Sequence, residues 1–345
     1  MSKAEPRPVT PLDLPLVRRM ITHLLPLDMT GALTNGISGM ESAFLSAVPL
    51  ADLGKPTIVL RRDDGGYVGQ FQHRLGEPVA RLMFVAPEPQ KGDHTPDWTW
   101  LLEALTYEAG RRGAHLVRAE VPEGHPVFLG FRMAGYVVYS RQVILRRNPG
   151  PLAAAEPHLL RPAYDRDSIG ITALYANTVP QLLQHAEMVP AGDGLVYERD
   201  GQLAGFLAIV RGRDGIVIKP YFHPEIHDQA ATIVLSTLAH IPQAERLPVY
   251  LYVRAYQDWL RGILEQVEFE SWTHQVLMVK YTVVRAQRPE PVSLPGLEAS
   301  RLHPPVVDGP LTLRKDTHSQ HRWSFWRRNG RRLDKQTPYG TSNNG

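Results

Sequence analysis

A unit of strand, short helix and strand occurs twice in this 345-residue chain, and a repeat of this kind fixes the architecture before any local assignment is made. In the first copy His115 to Val121 (HLVRAEV) alternates like a strand, and Pro126 to Ala134 (PVFLGFRMA) fits a short helix closing on Gly135. Tyr136 to Leu145 (YVVYSRQVIL) follows as a second strand, rich in Val, Ile and Tyr. In the second copy Pro248 to Val253 (PVYLYV) reads as a strand. Gln257 to Val267 (QDWLRGILEQV) reads as a helix with Trp259, Leu260, Ile263 and Leu264 on one face, and Val276 to Val283 (VLMVKYTV) as the closing strand. Val249 lies 132 residues after Val117, and Val276 lies 133 after Val143.

The order upstream also matches. Asp97 to Arg111 places Trp98, Leu101, Leu102 and Leu105 at helical spacing, and His227 to His240 is its counterpart. Before the first helix come strand runs Thr57 to Arg61, Tyr67 to Leu75 and Val79 to Val85, with Asp63-Asp64-Gly65-Gly66 as a hairpin signal. The second set is Leu195 to Glu198, Leu203 to Arg211 and Ile216 to Tyr221, joined through Arg199-Asp200-Gly201 and Arg213-Asp214-Gly215. A helix opens each half, Leu12 to Leu25 and Ile169 to Ala186. The expected fold class is therefore α/β (α+β), with two lobes, each a mixed twisted sheet flanked by helices. The lobes span residues 1–148 and 158–286. Residues 149–157 form a linker of Pro, Gly and Ala composition, and 287–345 a disordered tail, Pro-rich and then basic and aromatic.

Composition narrows the chemistry. The 43% hydrophobic content supports a core in each lobe, and the absence of cysteine excludes disulfides, thiolate zinc sites and a cysteine nucleophile while remaining compatible with cytoplasmic location. The longest apolar stretch, Ala230 to Ala239, falls far short of the ~20 residues that span a bilayer. Thirty-eight basic against 35 acidic residues is too even a balance to make nucleic acid the partner of the globular part. His223 and His227 stand four apart, but Pro224 makes the segment a loop, so they read as surface histidines and no metal site is expected. Dinucleotide, Walker, His-Glu-x-x-His and Gly-x-Ser-x-Gly patterns are all missing.

The element order, with Phe131-Arg132-Met133-Ala134-Gly135-Tyr136 at the corner before the last strand, resembles the GNAT (Gcn5-related) N-acetyltransferase family in tandem. The second corner, Leu264-Glu265-Gln266-Val267-Glu268-Phe269, keeps the frame but carries Glu268 where that family has Gly. The resemblance covers about residues 7–147 and 157–285. It implies acetyl-CoA as cosubstrate, lying in a splay between the two middle strands with its diphosphate on a Gly-rich loop at the start of the central helix. Both loops depart from that pattern. In the first, Pro96 and Trp98 fall where glycines belong, which leaves Val85, Gln90, Lys91, Gly92 and Phe131 as the implied cofactor-binding set. In the second, His223 to Ala231 contains no glycine, and Asp228 caps the helix and repels an anion.

The family's chemistry needs a base to deprotonate an amine and commonly a Tyr to protonate the leaving thiolate. Phe131 and Leu264 stand at the Tyr position, and neither carries a proton. The first middle strand has no carboxylate, and the second offers only Lys219 and Tyr221. Glu120, Glu123 and Tyr252 remain as catalytic candidates, with Arg254 and Tyr256 beside the last. Two readings stay open: an acyltransferase acting on a small-molecule amine or peptide, or an inactive two-lobed protein serving as scaffold or ligand binder. In the tail, Arg314 to Lys335 interleaves eight Arg or Lys with Trp323, Phe325 and Trp326. That pattern suits nucleic acid, an anionic membrane or an acidic protein, against the plainer reading of a solubilising tail.

Overall fold

Each half begins with the same ion pair. The computed structural model describes residues 5–36, 39, 55–63, 65–92, 95–152, 159–190 and 192–282; the tail, its basic stretch and linker residues 153–158 lie outside the described residues. Strand β1 (Arg7–Pro8) pairs with β3 (Thr57–Arg62), and β8 (Arg161–Pro162) pairs with β9 (Gly194–Arg199). In each case the Arg reaches a carboxylate six residues on. Arg7 donates twice to Asp13 at 2.8 Å, and Arg161 twice to Asp167 at 2.7 and 2.9 Å. The same carboxylates accept the backbone N–H of Thr10 and Tyr164, closing the 3-10 turns that lead into helices α1 (Leu14–Ile21) and α4 (Ser168–Thr178). This Arg-Pro-x-x-x-x-Asp staple is a second mark of the repeat, 154 residues apart at Asp13 and Asp167.

The remaining elements follow the expected order, with local differences that proline explains. The first lobe continues through β2 (Leu25–Pro26), β4 (Gly65–Gln72), β5 (Val79–Ala86), α2 (Thr95–Arg111), β6 (Leu116–Pro122), α3 (Val127–Met133) and β7 (Val137–Arg147). The second continues through α5 (Gln181–Gln184), β10 (Gln202–Arg211), β11 (Ile216–Phe222), α6 (Ala230–Ala239), β12 (Val249–Arg254), α7 (Leu260–Glu265) and β13 (Glu270–Tyr281). The expected helix from Ile169 to Ala186 is broken in two at Pro180, whose ring and missing N–H end a helix. The expected helix from His227 starts as a 3-10 turn over Pro224–Gln229 for the same reason, and turns α-helical only at Ala230. The helix expected from Leu12 to Leu25 stops at Ile21, and Leu25 and Pro26 pair with Val85 and Phe84 instead.

All the described strands join one sheet, in the order β1-β3-β4-β5-β6-β13-β7-β12-β11-β10-β9-β8, with β2 on β5. The boundaries 1–148 and 158–286 divide the chain but not this sheet. The last strand of the second half lies between β6 and β7 of the first, and β7 in turn pairs with β12 of the second. Each half thus completes the other. Gln142 and Gln275, 133 residues apart like the other repeat mates, face each other across β7 and β13 and mark the local twofold relation. Helices α2 and α3 bury Leu101, Leu102, Leu105 and Phe131 against one side of the sheet in the first half; Ile233, Val234, Leu260 and Leu264 do so in the second.

The opposite side is covered by crossing segments. Met29, Ala32 and Leu33 of the first half pack on Val217, Tyr250 and Tyr252 of the second, while Ala186 of the second packs on Val79, Leu116 and Val279. Gly212 lets this happen, since a Cβ there would come within 2.0 Å of the Thr34 carbonyl.

Two outcomes follow from the exchange and the staples. A fragment ending at residue 148 lacks β13 and leaves the long edge of β6 unpaired, so it aggregates or stays unfolded; a dispersed amide spectrum from that fragment would contradict the exchange. Burial alone would raise the Asp13 carboxyl, but Arg7, Thr10 and Arg61 hold it well below the usual range, and Arg161 holds Asp167 at about 2. Both folded values lie below the unfolded ones. Their contribution is therefore complete above about pH 4 and is lost as pH falls toward 2, and Asp167→Asn should remove about 1–2 kcal/mol of that acid-dependent stability in urea titrations at pH 6.

Candidate functional site

The splay that the fold provides occurs in both halves. Strands β5 and β6 run parallel only from Val79 opposite Leu116 to Arg81 opposite Arg118, and β11 and β12 only from Ile216 opposite Val249 to Ile218 opposite Leu251. Beyond these pairs the strands part, and their backbone groups need other partners.

In the first half the chain itself supplies them. The Leu27 N–H donates to the Met83 carbonyl at 2.9 Å, and the Leu27 carbonyl accepts the Glu120 N–H at 2.9 Å. The Leu25 and Leu27 side chains belong to the core beneath α2 and α3, with Leu102, Val127 and Phe131. At the mouth, Trp98 is 2% exposed and meets Tyr67 edge-on at 4.7 Å, and Asp97 in the first turn of α2 is paired with Arg62. His125 on the β6–α3 loop meets Glu88 on the β5–α2 loop at 3.2 Å.

The second half closes its splay with a side chain. The Gln257 carboxamide donates to the Pro220 carbonyl at 2.8 Å and accepts the Arg254 N–H at 3.3 Å. Pro220 is the fourth residue past Ile216, as Met83 is past Val79, so the two bridges share that anchor; on the facing strand Arg254 lies one residue further along than Glu120 does. At the start of α6, Ile226 is fully buried, and the His227 ring stacks on the Trp259 indole, centroids 3.5 Å apart, closing the gap toward α7.

A diphosphate needs exposed amide hydrogens and room for close approach. Acetyl-CoA, which the fold implies, does not fit the residues present. In the first half a buried indole and a paired aspartate occupy the phosphate end and two leucines the splay. In the second, a buried isoleucine and a stacked His–Trp pair occupy the phosphate end.

The polar groups that the sequence scatters converge elsewhere, on the twofold centre. Side chains alternate along a strand, so Arg118 and Glu120 of β6, Lys219 and Tyr221 of β11, and Tyr252 and Arg254 of β12 share the side away from α2 and α6. Glu187, on the segment after α5, accepts from Arg254 Nη2 at 3.2 Å; Arg254 Nη1 donates to Gln142, and Gln142 donates to Gln275. All four residues are under 8% exposed. Glu187 Oε1 and Gln275 Nε2 have no hydrogen-bond partner among the described residues. A buried polar atom left in that state costs about 1–3 kcal/mol, which a bound group or water would recover. Burial and then the Glu187 charge push the Tyr139 and Tyr221 hydroxyls up to about 12, so both stay protonated donors at neutral pH.

The residues singled out from sequence fall in three places. Val85 and Phe131 are buried core, Val85 opposite Leu25. Gln90, Lys91 and Gly92 are exposed on the β5–α2 loop. Glu123 is exposed and pairs with Arg141 at 3.3 Å. Glu120 and Tyr252 do reach the centre: the Glu120 carboxylate accepts the Met29 N–H at 3.1 Å, and the Tyr252 hydroxyl lies 3.4 Å from Thr30 Oγ1. Sequence reasoning missed Glu187, Gln142, Gln275 and Arg118. Only the two glutamines carried a signal, being identical residues at matching positions of the repeat, 133 apart. Among the described residues no group of three His, Asp or Glu is placed to hold a metal, and no helix is long and apolar enough to cross a membrane.

No protein-family profile and no curated protein sequence matches the chain. Solved structures do match in fold. A GCN5-related N-acetyltransferase from Sphaerobacter thermophilus superposes with a TM-score of 0.52 at 13% identity, covering 81% of this chain and 96% of that one. A tandem GNAT protein from the clavulanic acid biosynthesis pathway, solved without acetyl-CoA, gives 0.50 at 14% identity, covering 80% and 98%. The chain has the tandem GNAT fold.

Removing one partner of the buried pair strands a charge, which costs about 3–5 kcal/mol. Arg254→Met should lower unfolding stability by that amount in urea titration, and adding Glu187→Gln to it should restore a substantial part; a double variant no more stable than Arg254→Met would show that Glu187 is not the stranded group.

Proposed function

We propose that this protein is a GNAT-fold binding protein, that neither half transfers an acyl group from acetyl-CoA, and that its ligand site is the polar centre between the halves. The observation that carries the reading is the chain's own occupation of the cofactor seats, by Leu25 and Leu27 in the first half and by Ile226 with the His227–Trp259 stack in the second. The unmet Glu187 and Gln275 atoms supply the positive side, since they are polar groups held in place before any ligand arrives. The sequences of the solved relatives are too distant to bring their substrates across to this chain.

A second reading, an N-acetyltransferase working through the second half, is favoured by one feature: its splay is spanned by the Gln257 side chain, which can turn aside, and not by main chain. Calorimetric and thermal titration separate the two. On the first reading, acetyl-CoA at about 1 mM leaves the melting temperature unchanged, whereas a site of about 1 μM affinity would add about 4 kcal/mol of stability. Saturable heat with acetyl-CoA, abolished by Gln257→Trp, would establish the second.

A further inference from the structure

Glu268 sits in the left-handed region with a φ of 65°, where its repeat mate 133 residues earlier is Gly135, with a φ of 82°. Glycine enters that region freely, whereas a residue with a side chain is strained there. The strand end beside each corner differs in step: Lys280 lies against Gly135, and Arg147, its repeat mate, against Glu268. The Glu268 side chain, 74% exposed, reaches the Arg147 guanidinium at 3.1 Å, although the Arg147 side chain is only 4% exposed. Arg147 Nη2 also donates to the Pro151 carbonyl at 2.6 Å. Its Nη1 makes one long bond of 3.4 Å to the Asn148 carbonyl, and its Nε has no hydrogen-bond partner among the described residues.

Beside this ion pair is a cavity of about 130 Å3, walled by Leu152, Leu235, Leu238 and Val267. A cavity of about 150 Å3 with walls of that kind takes up benzene. Arg147 and Glu268 are the only charged residues among its described lining. Leu235 and Leu238 stand on α6, so the cavity lies on the side of the sheet away from the polar centre.

We infer that this cavity is a second ligand site, for an apolar monocarboxylate of about benzoate size, whose carboxylate takes the place that Glu268 holds on Arg147. The site stands on its own residues, whether or not the polar centre takes a ligand. Glu268 marks where an anionic group meets the guanidinium, but its hold is weak on two counts. Most of its side chain is in water, where an ion pair contributes little, and its backbone is strained. A ligand carboxylate brings neither handicap and can accept from two guanidinium N–H groups at once. Its apolar body then covers leucine surface that is otherwise open to water. Binding moves no covalent bond; the Glu268 side chain swings into solvent.

The test is calorimetric titration of the full chain with benzoate at pH 7 and constant ionic strength. Benzoate should bind saturably, and benzyl alcohol, which has the ring without the charge, at least about tenfold more weakly. Glu268→Gly places the repeat mate's residue at the corner and removes the competing carboxylate, so it should tighten benzoate about tenfold. Arg147→Met should abolish binding. Leu235→Trp, which fills the cavity from a half-buried position and leaves Arg147 in place, should abolish it too. Absence of saturable benzoate heat from both the native chain and Glu268→Gly overturns the proposal. So does a Glu268→Gly variant that binds more weakly, because the carboxylate would then be the ligand's partner and not its competitor. Either result leaves the binding-protein reading of the centre standing, whereas saturable acetyl-CoA binding removes that reading and leaves this site.

Discussion

The pairing of β7 with β13 holds this molecule together. Each is the last strand of its own half, and each is inserted against a strand of the other, so the backbone hydrogen bonds that close one half are made by the other. An unpaired strand edge carries a row of exposed donors and acceptors. Neither half can satisfy that row alone. The described residues between 5 and 282 accordingly belong to one compact unit, although the sequence repeat suggests two.

The exchange also decides where polar chemistry can collect. Two repeat copies facing each other across a twofold relation bring equivalent positions together, as Gln142 and Gln275 demonstrate. Strands β6, β11 and β12 then contribute charged and aromatic side chains to one side, roofed by Asp28 from the first half and Glu187 from the second. Opposite charges offset one another in that low-dielectric setting, but not completely: Glu187 keeps one carboxylate oxygen unmet while Lys219 and Arg118 lack an ion-pair partner among the described residues. A mismatch held by rigid strands is a property of the assembled sheet and of neither half separately.

The halves differ at the splay. The family-like feature, two parallel strands parting after three paired residues, survives in both. What spans the gap differs: main chain at Leu27 in one half, a carboxamide at Gln257 in the other. Leucine side chains that follow the Leu27 backbone into the core turn an opening into packed interior, and close packing of this kind is costly to reopen. The Gln257 bridge is a single buried side chain held by two hydrogen bonds and not a length of main chain, which leaves the second half with the more adaptable cleft.

The sequence by itself determined the repeat, the element order and the helix faces, because periodicity of 2 or 3.6 and local turn residues are properties of neighbours along the chain. It also exposed the missing loop glycines at Pro96, Trp98 and the His223 to Ala231 segment, since glycine's freedom of approach belongs to the residue itself. Strand exchange was not legible: β13 offers the same alternation of side chains to β12 of its own half as to β6 and β7 of the other, and the choice rests on long-range pairing energy. Nor was the filling of the splay by Leu25 and Leu27, which look like the end of an amphipathic helix. The centre needed the tertiary structure most, for Glu187 and Arg254 are 67 residues apart, and only the folded sheet removes the water that would otherwise screen them.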